Sequence, residues 1–178
     1  MLTNTEARAI ESYLTAAAHD YLAARTLFLH NHLKSACELA CVAIEKQLKA
    51  NLSAYEVDLK NSGHNAYKLL EMFIQAKQKQ IPEISLEFFE VITQIYEARY
   101  FEQLKEGFNF VILRNKFLTE LDHTMCVLDK FLKTSREGFN QPPSSCLDGH
   151  VRRKNAQLLR LNHAFGKLDK DEILSNLN

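Results

Sequence analysis

The sequence runs to 178 residues, 46% of them apolar, with only five Gly and three Pro, which excludes a fold of many short strands and tight turns. Lys+Arg and Asp+Glu balance at 22 each, so no global field draws the chain to nucleic acid or membrane, and any such binding has to come from a local patch. Residues 1–11 lack a signal-peptide pattern, no stretch approaches the roughly 18 apolar residues of a membrane span, and Cys37, Cys41, Cys126 and Cys146 have neither zinc-ribbon spacing nor scaffold density, all of which predicts a cytoplasmic, all-α protein.

Taken in chain order, the first helix is announced by Thr3 with Glu6 three residues on, a capping-box spacing. Its stripe of Ile10, Tyr13/Leu14, Ala17/Ala18, Tyr21/Leu22 and Phe28 predicts a helix to about His30. Ser35 and Glu38 repeat the capping device for a second helix. From Ala36 to Leu52 it is small and apolar over most of its circumference, the pattern of a central buried helix. A polar turn over Lys60 to Gly63 leads to a third helix, about Asn65 to Gln80, with Pro82 ending that segment. Ser85 caps a fourth carrying Phe88/Phe89, Ile92 and Ile95/Tyr96, and then Arg99. After a turn around Gly107, the last bundle helix is expected from about Phe110 to Lys133. These elements predict an antiparallel up-and-down bundle of four to five helices over residues 1–133. A Pro-, Ser- and Gly-bearing linker follows over 134–149, then a C-terminal helical extension over 150–178.

Three charges interrupt apolar stripes. Glu45 shares a face with Cys41, Leu48 and Leu52; Arg99 continues the series from Ile92; Arg114 precedes Phe117/Leu118 and Leu121. A charge turned into a bundle costs several kcal/mol in desolvation unless it is paired. The pattern therefore predicts a Glu45–Arg99 pair, either structural at a helix end or lining a polar cleft that meets a ligand.

The same residues carry a family resemblance. An amphipathic helix ending AAHDYLAARTLF, then SACELACVAIEKQLKANL, GHNAYKLLEMF and IYEARYF, resembles a HEPN domain over about residues 5 to 133. The family's second-helix run reads here Ala43 to Ala50 and includes Glu45 and Lys49. Its His at the third helix corresponds to His64, and its Arg-Tyr dipeptide to Arg99-Tyr100. The resemblance implies a helical bundle that commonly homodimerises, nucleotide or RNA binding, and toxin–antitoxin pairs with a nucleotidyltransferase or other protein partner. Active members carry Arg, a polar residue, then roughly four to six residues and a His. Here Arg99 is followed by Tyr100, with Phe101 where the family has Pro. Arg114-Asn115 is followed by His123 only after about two and a half turns, on the opposite face. A ribonuclease needs its base within reach of the attacking hydroxyl, and that spacing does not supply it.

Other constellations are plainer. Cys37 and Cys41 lie one turn apart without further ligands to complete a metal set, so they read as small core residues. His64 would cap the third helix or line a cleft. The tail presents Arg152, Arg153, Lys154 and Arg160 among leucines, either a helix docking its leucines on the bundle or a phosphate-binding, protein-binding or membrane surface. No Gly-rich phosphate loop occurs. The expectation is a non-enzymatic HEPN-like module that homodimerises and binds a nucleotide, RNA or protein partner, with no cofactor, metal or membrane. Its candidate ligand-facing residues are Glu45, Lys49, His64, Arg99, Tyr100 and Arg114. The alternatives are a degenerate HEPN ribonuclease toxin and an adaptor acting through its C-terminal helices.

Overall fold

Two long helix-forming runs broken by a three-residue turn set the frame. In the structure, a computed structural model, residues 4–60, 62–98, 111–134, 146–162 and 164–165 are described. Helix α1 spans Asn4–Leu29 and α2 spans Leu33–Ala54. Between them Asn31 adopts the left-handed conformation (φ 63°), which Asn tolerates better than most residues with a side chain. A connection this short makes the helices antiparallel neighbours. The cap of α2 differs from the expected Ser35. The helix starts at Leu33 behind His32, with no side-chain capping bond, because the Asn31 turn already aims the His32 carbonyl at the Ala36 amide (3.0 Å). Thr3, the expected cap of α1, lies outside the described residues.

The faces of α2 bury Ala36, Ala40, Ala43 and Ala50 with Cys37 and Cys41. Side chains this small let α1 approach closely along one face while α3, α4 and α5 pack on others. Helix α3 (Ala66–Lys77) is capped by the Asn65 side chain accepting from the Lys68 amide, and α4 (Leu86–Glu97) by Ser85 accepting from the Phe88 amide. Each such cap contributes about 1 kcal/mol. The end of α3 corrects the expected role of Pro82: the helix stops earlier, where Gln78 turns left-handed (φ 54°). Helix α5 (Arg114–Thr134) also begins later than Phe110. Val111 and Ile112 are β-branched and resist helix entry, and the first turn closes from the Leu113 carbonyl to the Phe117 amide (2.9 Å).

Aromatic contacts tie the bundle across elements. Phe117 of α5 meets Phe28 of α1 at 5.0 Å and Phe88 of α4 at 5.1 Å between ring centroids. Phe73 of α3 meets Tyr55 at 5.6 Å and Phe131 of α5 at 6.1 Å. Burying each such ring contributes roughly 1.5–3 kcal/mol. The described residues form helices and no strands: an antiparallel bundle of α1–α5, followed by α6 (Cys146–Arg152) and α7 (Ala156–Leu159). The two short helices dock on α1, burying Leu147 and Leu158 and leaving Leu161 outside.

Candidate functional site

The charged position on α2 gathers a polar cluster. Glu45, 7% exposed, sits on the face that also carries Cys41 and Leu48. Its Oε1 accepts from Lys49 Nζ (2.8 Å), one turn along the same helix, and from His64 Nδ1 (2.9 Å). His64 arrives from the segment before α3, where Gly63 takes a left-handed φ of 66° that a residue with a Cβ rarely adopts. Asn65, not His64, caps α3, which leaves the imidazole free for Glu45. The His64 ring stacks on Tyr96 of α4 at 6.2 Å, nearly parallel at 14°. A carboxylate only accepts, so Nδ1 carries the hydrogen; Nε2 is then an acceptor in the neutral ring and a donor once the ring is protonated. The His64 side chain is 64% exposed, whereas those of Glu45 and Lys49 are recessed at 9% and 12%. Beginning at the neighbouring Asn65, an open concavity of about 590 Å³ runs between α3 and α4, lined by Tyr67, Lys68, Glu71, Glu90 and Thr93 among others.

Of the residues expected to meet here, the structure brings together Glu45, Lys49 and His64. Arg99 and Tyr100 lie outside the described residues. Arg114 is placed elsewhere: its Nη1 donates to Asn31 Oδ1 (2.8 Å) and its Nε to Asn115 Oδ1 (3.2 Å). Asn31 belongs to the α1–α2 turn, and Glu45 lies about 18 Å farther along the α2 axis. His123 turns Nε2 to the Glu83 carbonyl (2.8 Å), so the Arg114 and His123 side chains diverge toward different segments. In the tail Arg152, Arg153, Lys154 and Arg160 are all exposed.

A second cluster is buried more deeply. Arg25 and Tyr21 of α1 and Asp122 of α5 are 0% exposed, and Asn162 is 4% exposed. The Arg25 guanidinium pairs with Asp122 Oδ2. It also donates from Nε to the Gln157 carbonyl (3.0 Å) and from Nη2 to the Arg160 carbonyl. The Tyr21 hydroxyl donates to Asp122 Oδ1 (2.6 Å) and accepts from Asn162 Nδ2 (3.0 Å). Burial pushes the Asp122 carboxyl up to about 6, against the pull of Arg25 and the hydrogen bonds to it. The Tyr21 phenol is driven well above its ordinary value, by burial first and then by the Asp122 charge. At Asp122 desolvation outweighs attraction, whereas burial of the Arg25 guanidinium is outweighed by Asp122 and Tyr21, which leave it raised from its ordinary value; the two shifts differ in balance, and losing either partner would strand the other in a desolvated site. These residues were missed in the sequence although the signal was there. Arg25 stands four residues after Tyr21 and three before Phe28, and Asp122 four after Leu118 and three before Met125, each inside an apolar stripe.

The two thiols of α2 are held in the core. Cys37 is buried and its thiol is pushed up to about 12 by burial and then by Glu38, and Cys41 donates to the Ile92 carbonyl (3.4 Å). Among the described residues no group of three or more His, Cys, Asp or Glu side chains is arranged to hold a metal ion. None of the described helices is long and apolar enough to cross a membrane. A family model described as HEPN domain matches residues 10–129. No curated protein and no solved structure matches the chain.

Proposed function

The chain belongs to the HEPN family, and from that premise we propose that it is a non-enzymatic, dimerising module that binds a nucleotide through the Glu45–Lys49–His64 surface. The observation that carries the reading is the coupling of one recessed carboxylate to two potential cations, one of them on an exposed ring. Glu45 orients both heads and sets their positions before any ligand arrives, which lowers the ordering cost of binding. Lys49 keeps two of its three donors available, and a protonated His64 presents Nε2–H; together they suit a phosphate group. The adjoining concavity between α3 and α4 is open enough for the remainder of a nucleotide. Divergence of the Arg114 and His123 side chains supports binding over ribonuclease chemistry. A toxin–antitoxin setting with a nucleotidyltransferase partner, or binding of RNA in place of a free nucleotide, fits the same surface.

Thermal melting with a nucleoside triphosphate tests the proposal. Ligand at about 100 times its Kd adds roughly 2.7 kcal/mol to the folded state, so the melting temperature should rise by several degrees. Lys49→Met and His64→Ala should abolish the rise. Sedimentation should give a dimer. An unchanged melting temperature, a monomer, or cleavage of total RNA that is lost on Arg114→Ala would each overturn the corresponding part of the proposal.

A further inference from the structure

Arg152, Arg153, Lys154 and Arg160 are exposed, and none of them forms an ion pair among the described residues. Three of the four sit consecutively where α6 ends. That end is a left-handed cap: the Lys154 amide donates to the Val151 carbonyl and the Asn155 amide to the His150 carbonyl, both at 3.0 Å, around Lys154 at φ 50°. Glycine is the usual occupant of this position. A lysine there costs about 1 kcal/mol or more in backbone strain relative to glycine, and it sets the cation at a turn between α6 and α7. Beside it, the His150 imidazole is lowered from its ordinary value by burial first, then by the nearby Arg153 and His19.

The segment is also tied to the bundle. Arg25 donates to the Gln157 and Arg160 carbonyls, Asn162 holds the Tyr21 hydroxyl, and Asn162 Oδ1 caps the Ala164 and Phe165 amides at 3.0 Å each. Leu147 and Leu158 face the bundle, and among the described residues of this segment Leu161, 56% exposed, is the large apolar side chain left beside the cations, less than the continuous apolar face with which a helix enters a membrane surface.

We propose that Arg152, Arg153, Lys154 and Arg160 form a docking surface for the phosphate backbone of a nucleic acid strand, held in register by the buried Tyr21–Arg25–Asp122–Asn162 network. Three of the four cations are Arg, whose planar fork matches phosphate oxygens. Recognition is of the backbone and independent of sequence, as electrostatic contacts to phosphates are. The surface is built from other elements than the Glu45–His64 cluster, and the proposal does not rest on the reading given for that cluster.

Fluorescence anisotropy of the full chain with a labelled RNA and a DNA strand of the same sequence, across a salt series, tests it. Neutralising four phosphates of a single strand gives a slope of about −3 in log K against log salt. Both strands should bind with that slope. The Arg152→Gln/Arg153→Gln/Lys154→Gln variant, altered only at exposed side chains, should bring the slope to about −1 and weaken binding more than tenfold at low salt. Asn162→Ala keeps all four cations and loosens their platform, so it should weaken binding several-fold with the bundle's helical signal intact. Lys130→Gln, an exposed cation of α5 outside both clusters, should leave strand binding unchanged, and the triple variant should keep its melting response to a nucleoside triphosphate, which separates failure here from failure of the nucleotide proposal. Absence of binding, a slope indifferent to the triple variant, or capture by anionic phosphatidylserine vesicles with neither strand bound would overturn the docking surface. Unaltered binding by Asn162→Ala would overturn the positioning role of the network.

Discussion

Replacing Arg25 with Met removes the guanidinium and keeps much of the side chain's bulk. Three acceptors then lose their donor: the fully buried Asp122 Oδ2 and the partly buried carbonyls of Gln157 and Arg160. Breaking a buried pair by deleting one partner costs about 3–5 kcal/mol, a large part of the roughly 5–15 kcal/mol that keeps a domain folded. Asp122→Leu should cost a similar amount by stranding the cation. The double variant Arg25→Met/Asp122→Leu buries no lone charge, so it should be more stable than the sum of the singles by about 2 kcal/mol or more. pH supplies a second handle. Burial raises the Asp122 carboxyl from 3.8 to about 6, so the folded chain holds a proton between those values that the unfolded chain releases. That contribution is fully present below about pH 4 and lost as pH rises through 6, an effect of about 3 kcal/mol. In Arg25→Met the carboxyl has lost its cation and moves higher still, so that variant should weaken more steeply with rising pH than the wild type. Urea unfolding followed by helical circular dichroism, at about pH 5 and about pH 7.5, reads all four proteins. Strictly additive single variants, or an Arg25→Met loss under about 1 kcal/mol at the higher pH, would refute the picture of a desolvated, mutually dependent pair.

Other expectations are simpler to check. Leu158→Ala opens a cavity under α7 and should cost about 2–5 kcal/mol of local stability, read as faster amide exchange confined to α6 and α7. Glu45→Gln keeps the shape but removes the charge that holds Lys49 and His64, and should lower stability by about 1–3 kcal/mol in urea. His64→Ala, on an exposed ring, should cost less than about 1 kcal/mol. Cys37, buried and raised to about 12, should resist alkylation at neutral pH in the native chain and react only on unfolding; rapid labelling would contradict the packing of α2.

Much of the bundle is legible in the sequence because periodicity and caps report local physics. Asn65 and Ser85 cap helices whose apolar stripes begin within one turn of them, a relation visible without any tertiary contact. The failures are places where the backbone decides. Ser35 loses its capping role to the Asn31 turn, and the left-handed state of Gln78, which its residue type does not announce, ends α3 before Pro82. Glu45 was readable as a charge on an apolar face, and Lys49 and His64 as candidate companions, but their direct contacts with it were not. Lys49 lies one turn along the same helix, and His64 reaches Glu45 from a separate segment through a turn at Gly63. Arg25 and Asp122 obeyed the rule that singled out Glu45. What the sequence hid was their environment: partners 97 residues apart, and two main-chain carbonyls in the tail that no side-chain pattern encodes.

An amide and imidazole NMR titration with a nucleoside triphosphate tests the binding proposal most directly. It predicts saturable shifts concentrated on the His64 ring, the amides of residues 62–68 and the Lys49 side chain, with α6 and α7 unmoved. A silent His64 ring at saturating nucleotide, or shifts centred on another face of the bundle, would contradict it.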